Sequence, residues 1–197
     1  MIMNIKRIIS VIAIALFCYG ISAQVLKSNK IYYTAKGIPV NCLKGTSVSL
    51  NGTGKLITGT LSTNMTLNTA KGVPILCQAG KSVTFNDAGN FISGSLSTNM
   101  TISNGKGVAV YCLAGTPVIF YPDGVLQSAS INTNMTLNAA KEKPVYCKQN
   151  SSVIFYQSGD LQYATLSTNM TLYDQSGQAQ YKKTGDIVTF TDEGILN

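Results

Sequence analysis

Cysteine recurs every 35 residues along this chain, at Cys42, Cys77, Cys112 and Cys147, and Met65, Met100, Met135 and Met170 keep the same interval. A fixed period of that length signals tandem repeats, in which stacked units share one core that no unit could build alone. Aligned on cysteine, the units run 28–62, 63–97, 98–132, 133–167 and a shorter 168–197.

Inside a unit the apolar residues alternate. Val48, Val83, Val118, Val153 and Val188 form one column, and two places on stand Leu50, Phe85, Phe120, Phe155 and Phe190. A period of two belongs to strands. Gly54, Gly89, Gly124, Gly159 and Gly194 follow, in contexts such as Pro122-Asp123-Gly124, where a hairpin must turn. Leu56, Phe91, Leu126, Leu161 and Leu196 then open a return strand. The Asn column (Asn29, Asn64, Asn99, Asn134, Asn169) introduces a second, shorter hairpin ending at the cysteines. Four of these residues sit in Asn-Met-Thr, a glycosylation sequon, but their recurrence with the scaffold marks them as structural turn residues.

The expected fold is therefore all-β: a tandem-repeat meander of five units, forming an open twisted sheet or solenoid. A closed five-bladed propeller is the alternative, because Val25 and Leu26 resemble the strand end missing from the fifth unit. In that last unit Gln180 and Lys182 replace the Val/Ile and Cys of the others, and Lys30 stands where later units have Met. Such polar changes suit the outer boundaries of a repeat array.

Residues 1–23 read as a secretory signal: Lys6 and Arg7 precede an apolar run from Ile8 to Phe17, and Ile21-Ser22-Ala23 offers a cleavage site before Gln24. The run is shorter than the ~20 residues of a membrane span, and bulky Phe17 makes Cys18 a poor lipidation site. The expected mature chain, 24–197, is exported to the periplasm, outer surface or medium, without an integral span. It carries 13 Lys against 8 acidic residues and no Arg. Scattered lysines lack the Arg forks and basic stripes of nucleic-acid binders, so none is expected as a partner.

The segment Val118-Ile119-Phe120-Tyr121-Pro122-Asp123-Gly124-Val125-Leu126, whose pattern covers about half of each unit, resembles the hairpin of MORN-type repeat proteins. The resemblance implies an elongated, twisted meander used as a scaffold or binding surface, with no activity of its own. It identifies no functional residue.

The chain has no His, which removes the commonest general base and most imidazole metal sites. No catalytic residue, metal or cofactor is expected. The enzymatic rival is a carboxylate-dependent glycan hydrolase on a propeller, which needs two of the eight carboxyls to converge. Equivalent cysteines in a meander stand ~10 Å or more apart, too far for a disulfide. Four buried thiols are expected, with the Cys and Met columns packing the core rather than holding a soft metal.

Residues between the core columns face outward. Unit one has Asn41, Ser49 and Asn51 there, and unit two has Leu76, Thr84 and Asn86. Units three and four have Tyr111, Ile119 and Tyr121, then Tyr146, Ile154 and Tyr156, while Tyr181 persists in unit five. Apolar side chains confined to the outward positions of the middle repeats mark either a contact face for a protein or glycan or residues that a second layer or the fold's own curvature covers. The expected role is an exported, non-catalytic binding scaffold, with self-association as a further partner. Its structural rival is a cell-envelope component that assembles through sheet edges.

Overall fold

A computed structural model describes residues 22–197; the expected leader lies outside the described residues except for Ser22 and Ala23. The chain enters through β1 (Ser22–Val25), and unit one adds β2 (Lys30–Tyr33), β3 (Pro39–Cys42), β4 (Ser47–Leu50) and β5 (Leu56–Thr60). Unit two repeats these as β6 (Met65–Asn68), β7 (Pro74–Cys77), β8 (Ser82–Phe85) and β9 (Phe91–Ser95). Unit three has β10 (Met100–Ser103), β11 (Ala109–Cys112), β12 (Pro117–Phe120) and β13 (Leu126–Ser130). Unit four has β14 (Met135–Ala139), β15 (Lys143–Cys147), β16 (Ser152–Phe155) and β17 (Leu161–Thr165). Unit five closes with β18 (Met170–Tyr173), β19 (Ala179–Lys182) and β20 (Ile187–Thr189).

These strands sort into two layers. One is a ten-stranded antiparallel sheet in the order β1-β4-β5-β8-β9-β12-β13-β16-β17-β20. The other is a set of five separate hairpins, β2–β3, β6–β7, β10–β11, β14–β15 and β18–β19. β1 and β20 form opposite edges of the long sheet, so the array is open. The propeller alternative fails on that order: β1 pairs with β4 and does not close onto the last unit.

Alternation explains the layering. The Val and Phe columns of the sheet and the Val/Ile and Cys columns of the hairpins are buried in one continuous core. Close approach of the layers demands small residues opposite the thiols. A Cβ added to Gly59 would lie 2.7 Å from Cys42 Sγ, and one on Gly94 would lie 3.2 Å from Cys77 Sγ. Ala129 and Ala164 take the same place in the next two units.

The first four hairpins are anchored at both ends. At the base, backbone bridges join Cys42 to Leu61, Cys77 to Leu96, Cys112 to Ile131 and Cys147 to Leu166. The Asn column secures the same end: Asn64 Oδ1 accepts the Ala79 N–H at 2.7 Å, and the other four make the equivalent bond. At its tip, each of the first four hairpins presses its backbone on the turn glycine of a sheet hairpin further along the chain. Ala35–Lys36 meets Gly89, Ala70–Lys71 meets Gly124, Gly105–Lys106 meets Gly159, and Ala140 meets Gly194. All four glycines have positive φ and no room for a Cβ.

Candidate functional site

The two-layer fold divides the expected contact face. Tyr111 and Tyr146 lie on the outer side of the hairpin layer and are each 45% exposed. Ile119 and Ile154 lie on the outer side of the ten-stranded sheet, across the core, and are half-buried. Period-two reasoning separated the core columns, which are buried, from the residues between them. It did not reveal that neighbouring hairpins leave the core in opposite directions, so the six residues do not form one surface.

Tyr121 and Tyr156 form a third group. Both are half-buried, and their hydroxyls donate to the Phe155 carbonyl at 2.9 Å and the Phe190 carbonyl at 2.7 Å, each in the following unit. At the same repeat position Asn51 and Asn86 instead cap their own turns, accepting the Lys55 and Asn90 N–H groups at 2.9 Å. Units three and four thus exchange a local cap for a tie between repeats. These tyrosines hold the sheet together.

On the sheet side Ile119 and Ile154 belong to a row crossing every strand. Ile119 pairs with Ser93 and Ser128, and Ile154 with Ser128 and Tyr163. Much of the remaining row is Ser or Thr. The apolar segment is thus a short stripe of half-buried side chains, with Tyr163 continuing it.

The hairpin side is more open and more regular. Tyr111, Tyr146 and Tyr181 occupy one position in three consecutive units, and Tyr181 is 63% exposed. Each stands directly across its hairpin from a threonine, in the pairs Thr101–Tyr111, Thr136–Tyr146 and Thr171–Tyr181. These threonines are exposed as well. The array offers one ring and two hydroxyls per repeat, with no charged side chain in either column. A Tyr ring supplies rigid apolar area while its hydroxyl stays wet. Tyr181 was visible in the sequence as the continuation of this column, and its membership follows from the hairpin register.

Two carboxylates do converge, but on a lysine. Lys106 Nζ lies 2.7 Å from Asp160 Oδ1 and 3.6 Å from Glu142 Oε1. Its ammonium is pushed above its ordinary pKa, chiefly by the hydrogen bond to Asp160. The cluster ties a hairpin tip to a sheet turn, since Asn104 Nδ2 also donates to the Gly159 carbonyl at 2.9 Å.

The four repeat cysteines are buried free thiols. Loss of solvation pushes Cys42 up to about 11 and Cys77, Cys112 and Cys147 up to about 12, which suppresses the thiolate and with it nucleophilic chemistry. A cleft of about 340 Å³ opens between the last two hairpins and the sheet, lined by Val145, Leu172, Tyr173 and Phe190 among others. Among the described residues no helix is long and apolar enough to cross a membrane. Compared with known protein families and with curated proteins, the chain matches none.

Proposed function

We propose that the chain is an exported, non-catalytic repeat scaffold that binds a protein or glycan partner along the hairpin layer. The observation that carries this reading is the tyrosine column: Tyr111, Tyr146 and Tyr181 repeat in register and expose 45%, 45% and 63% of their surface. Each is framed by threonine, so the face pairs flat rings with hydroxyls and carries no charge in those columns. Such a face suits an extended neutral ligand, whose successive units meet successive repeats. A sugar chain fits that description well, because its apolar faces stack on rings and its hydroxyls find hydrogen-bonding partners. The apolar run after Lys6 and Arg7 supports export. MORN-type character of the sheet hairpins would imply the same scaffold role.

Affinity electrophoresis tests this reading, with hydroxyethyl cellulose, soluble xylan and peptidoglycan fragments as glycan probes and a denatured, extended protein as the control. The expected result is retardation by at least one probe that disappears in the Tyr111→Ser, Tyr146→Ser, Tyr181→Ser triple variant while its melting curve is kept. No retardation by any probe, or retardation that survives the triple substitution, overturns the assignment of the face.

A further inference from the structure

We propose that the protein assembles head to tail with further copies of itself, β20 of one copy pairing with β1 of the next in the register of an internal repeat. β1 and β20 are the two unpaired edges of the ten-stranded sheet among the described residues. An open edge presents unpaired N–H and C=O groups, a template for another strand. The two edges here are complementary in phase. β1 pairs with β4 as β5 pairs with β8, which places Gln24 in the position of Gly59 and Val25 in that of Thr60. Thr189 and Ile187 of β20 occupy the positions of Ser49 and Ser47. Ser49 pairs with Thr58 inside unit one, and the same antiparallel register sets Ile187 beside Val25 of the incoming copy. Leu196, bridged to Phe190, and Asn197, whose N–H donates to the Thr189 carbonyl at 3.0 Å, cover the turn end of this side of β20 and leave Ile187 open.

Side chains at the edges fit that joint. The relevant row on the outer face reads, in neighbouring-strand pairs, Val25–Ser47, Thr60–Ser82, Ser95–Pro117, Ser130–Ser152 and Thr165–Ile187. Its interior is Ser and Thr with one Pro. Only its two ends are branched apolar residues, and these are 63% and 59% exposed. Edges meant to stay single carry charge at such places. Joined, Val25 and Ile187 shield each other.

The second layer has a matching gap. Four turn glycines each receive a hairpin tip, whereas Gly54, the first in the array, has nothing within 4 Å of an added Cβ. The tip of β18–β19, at Gln175–Ser176, stands at the spacing from the next copy's Gly54 that Ala35–Lys36 has from Gly89. One seam position departs from the internal pattern: Gln24 and Lys182 meet where other units place Gly or Ala against Cys. That crowding makes the joint weaker than an internal one.

Sedimentation velocity over a concentration series tests the proposal. The purified protein should form an open-ended series of dimers, trimers and longer species. Val25→Lys and Ile187→Lys should each stay monomeric to at least ~tenfold higher concentration, with unchanged circular dichroism and melting. Mixed in equal amounts they should form a dimer and nothing larger, because only one tail and one head remain competent. Val25→Ser and Ile187→Ser, which extend the polar row, carry the same test if a lysine variant misfolds. Gln24→Ala with Lys182→Cys should strengthen assembly. A wild-type protein that stays monomeric, a single-edge variant that dimerises alone, or a mixture that remains monomeric overturns the proposal. The surfaces differ from the tyrosine column, so the triple tyrosine variant should assemble like the wild type.

Discussion

The hydroxyl of Tyr156 donates to the backbone carbonyl of Phe190 at 2.7 Å, and Tyr121 makes the same bond to Phe155 at 2.9 Å. Each bond crosses a repeat boundary at the turn end of the sheet. Tyr121→Phe and Tyr156→Phe keep the ring and remove only the donor, so each should cost about 1 kcal/mol. Serine at either site also strips half-buried ring area and should cost more. Urea denaturation checks both statements, and a Phe variant as stable as the wild type would show that the bond contributes nothing.

Tyr111 and Ile119 show where sequence reasoning reached its limit. Alternation around Val118 and Phe120 correctly assigned one face to the core, and the Asn column was correctly read as structural. What alternation cannot express is a direction in space. Tyr111 and Ile119 both leave the core, but from different layers. The clue to two layers was present in the column Gly59, Gly94, Ala129, Ala164, where small residues stand among large apolar ones. Small size there reflects a thiol of the opposing layer. Contacts such as Gly89 with Ala35 span more than one repeat, so alignment within a unit could not bring them together.

Gly54 and Gly124 occupy equivalent turns with positive φ of 75° and 86°, yet only Gly124 is covered: a Cβ there would stand 2.7 Å from Lys71 N. Gly54→Ala should therefore cost only the backbone strain, about 1–2 kcal/mol. Gly124→Ala should cost distinctly more, because the β6–β7 tip must lift off the turn. Thermal melts of the two variants measure the difference, and equal losses would mean that tip docking adds no stability.

Lys106 and Asp160 form the best-buried ion pair among the described residues, with the Asp160 side chain 9% exposed. Lys106→Met should destabilise the protein by stranding a buried carboxylate. Adding Asp160→Val should recover much of that loss, since Val125 fills the same repeat position in unit three and is 5% exposed. A double-mutant cycle reads the coupling directly. Equal stability of the single and double variants would place the carboxylate in water.

Burial of the thiols also makes a pH prediction. Cys112 is raised to about 12 in the folded chain by desolvation, whereas an unfolded cysteine titrates near about 8.5. Below that unfolded value both states hold the proton, and the thiol's contribution to stability is fully present. As pH rises through the window the unfolded chain releases its proton first, so stability falls until the folded pKa is passed. The fall between about pH 9 and about pH 10.5 should be on the order of 2 kcal/mol per deeply buried thiol. Tyr and Lys titrate in the same range, so the comparison needed is with Cys112→Ala. That variant should start less stable at about pH 8, because a core atom is lost, and then decline less steeply with pH. Parallel declines of the two proteins in urea would mean that Cys112 ionises as easily in the folded chain as in the unfolded one.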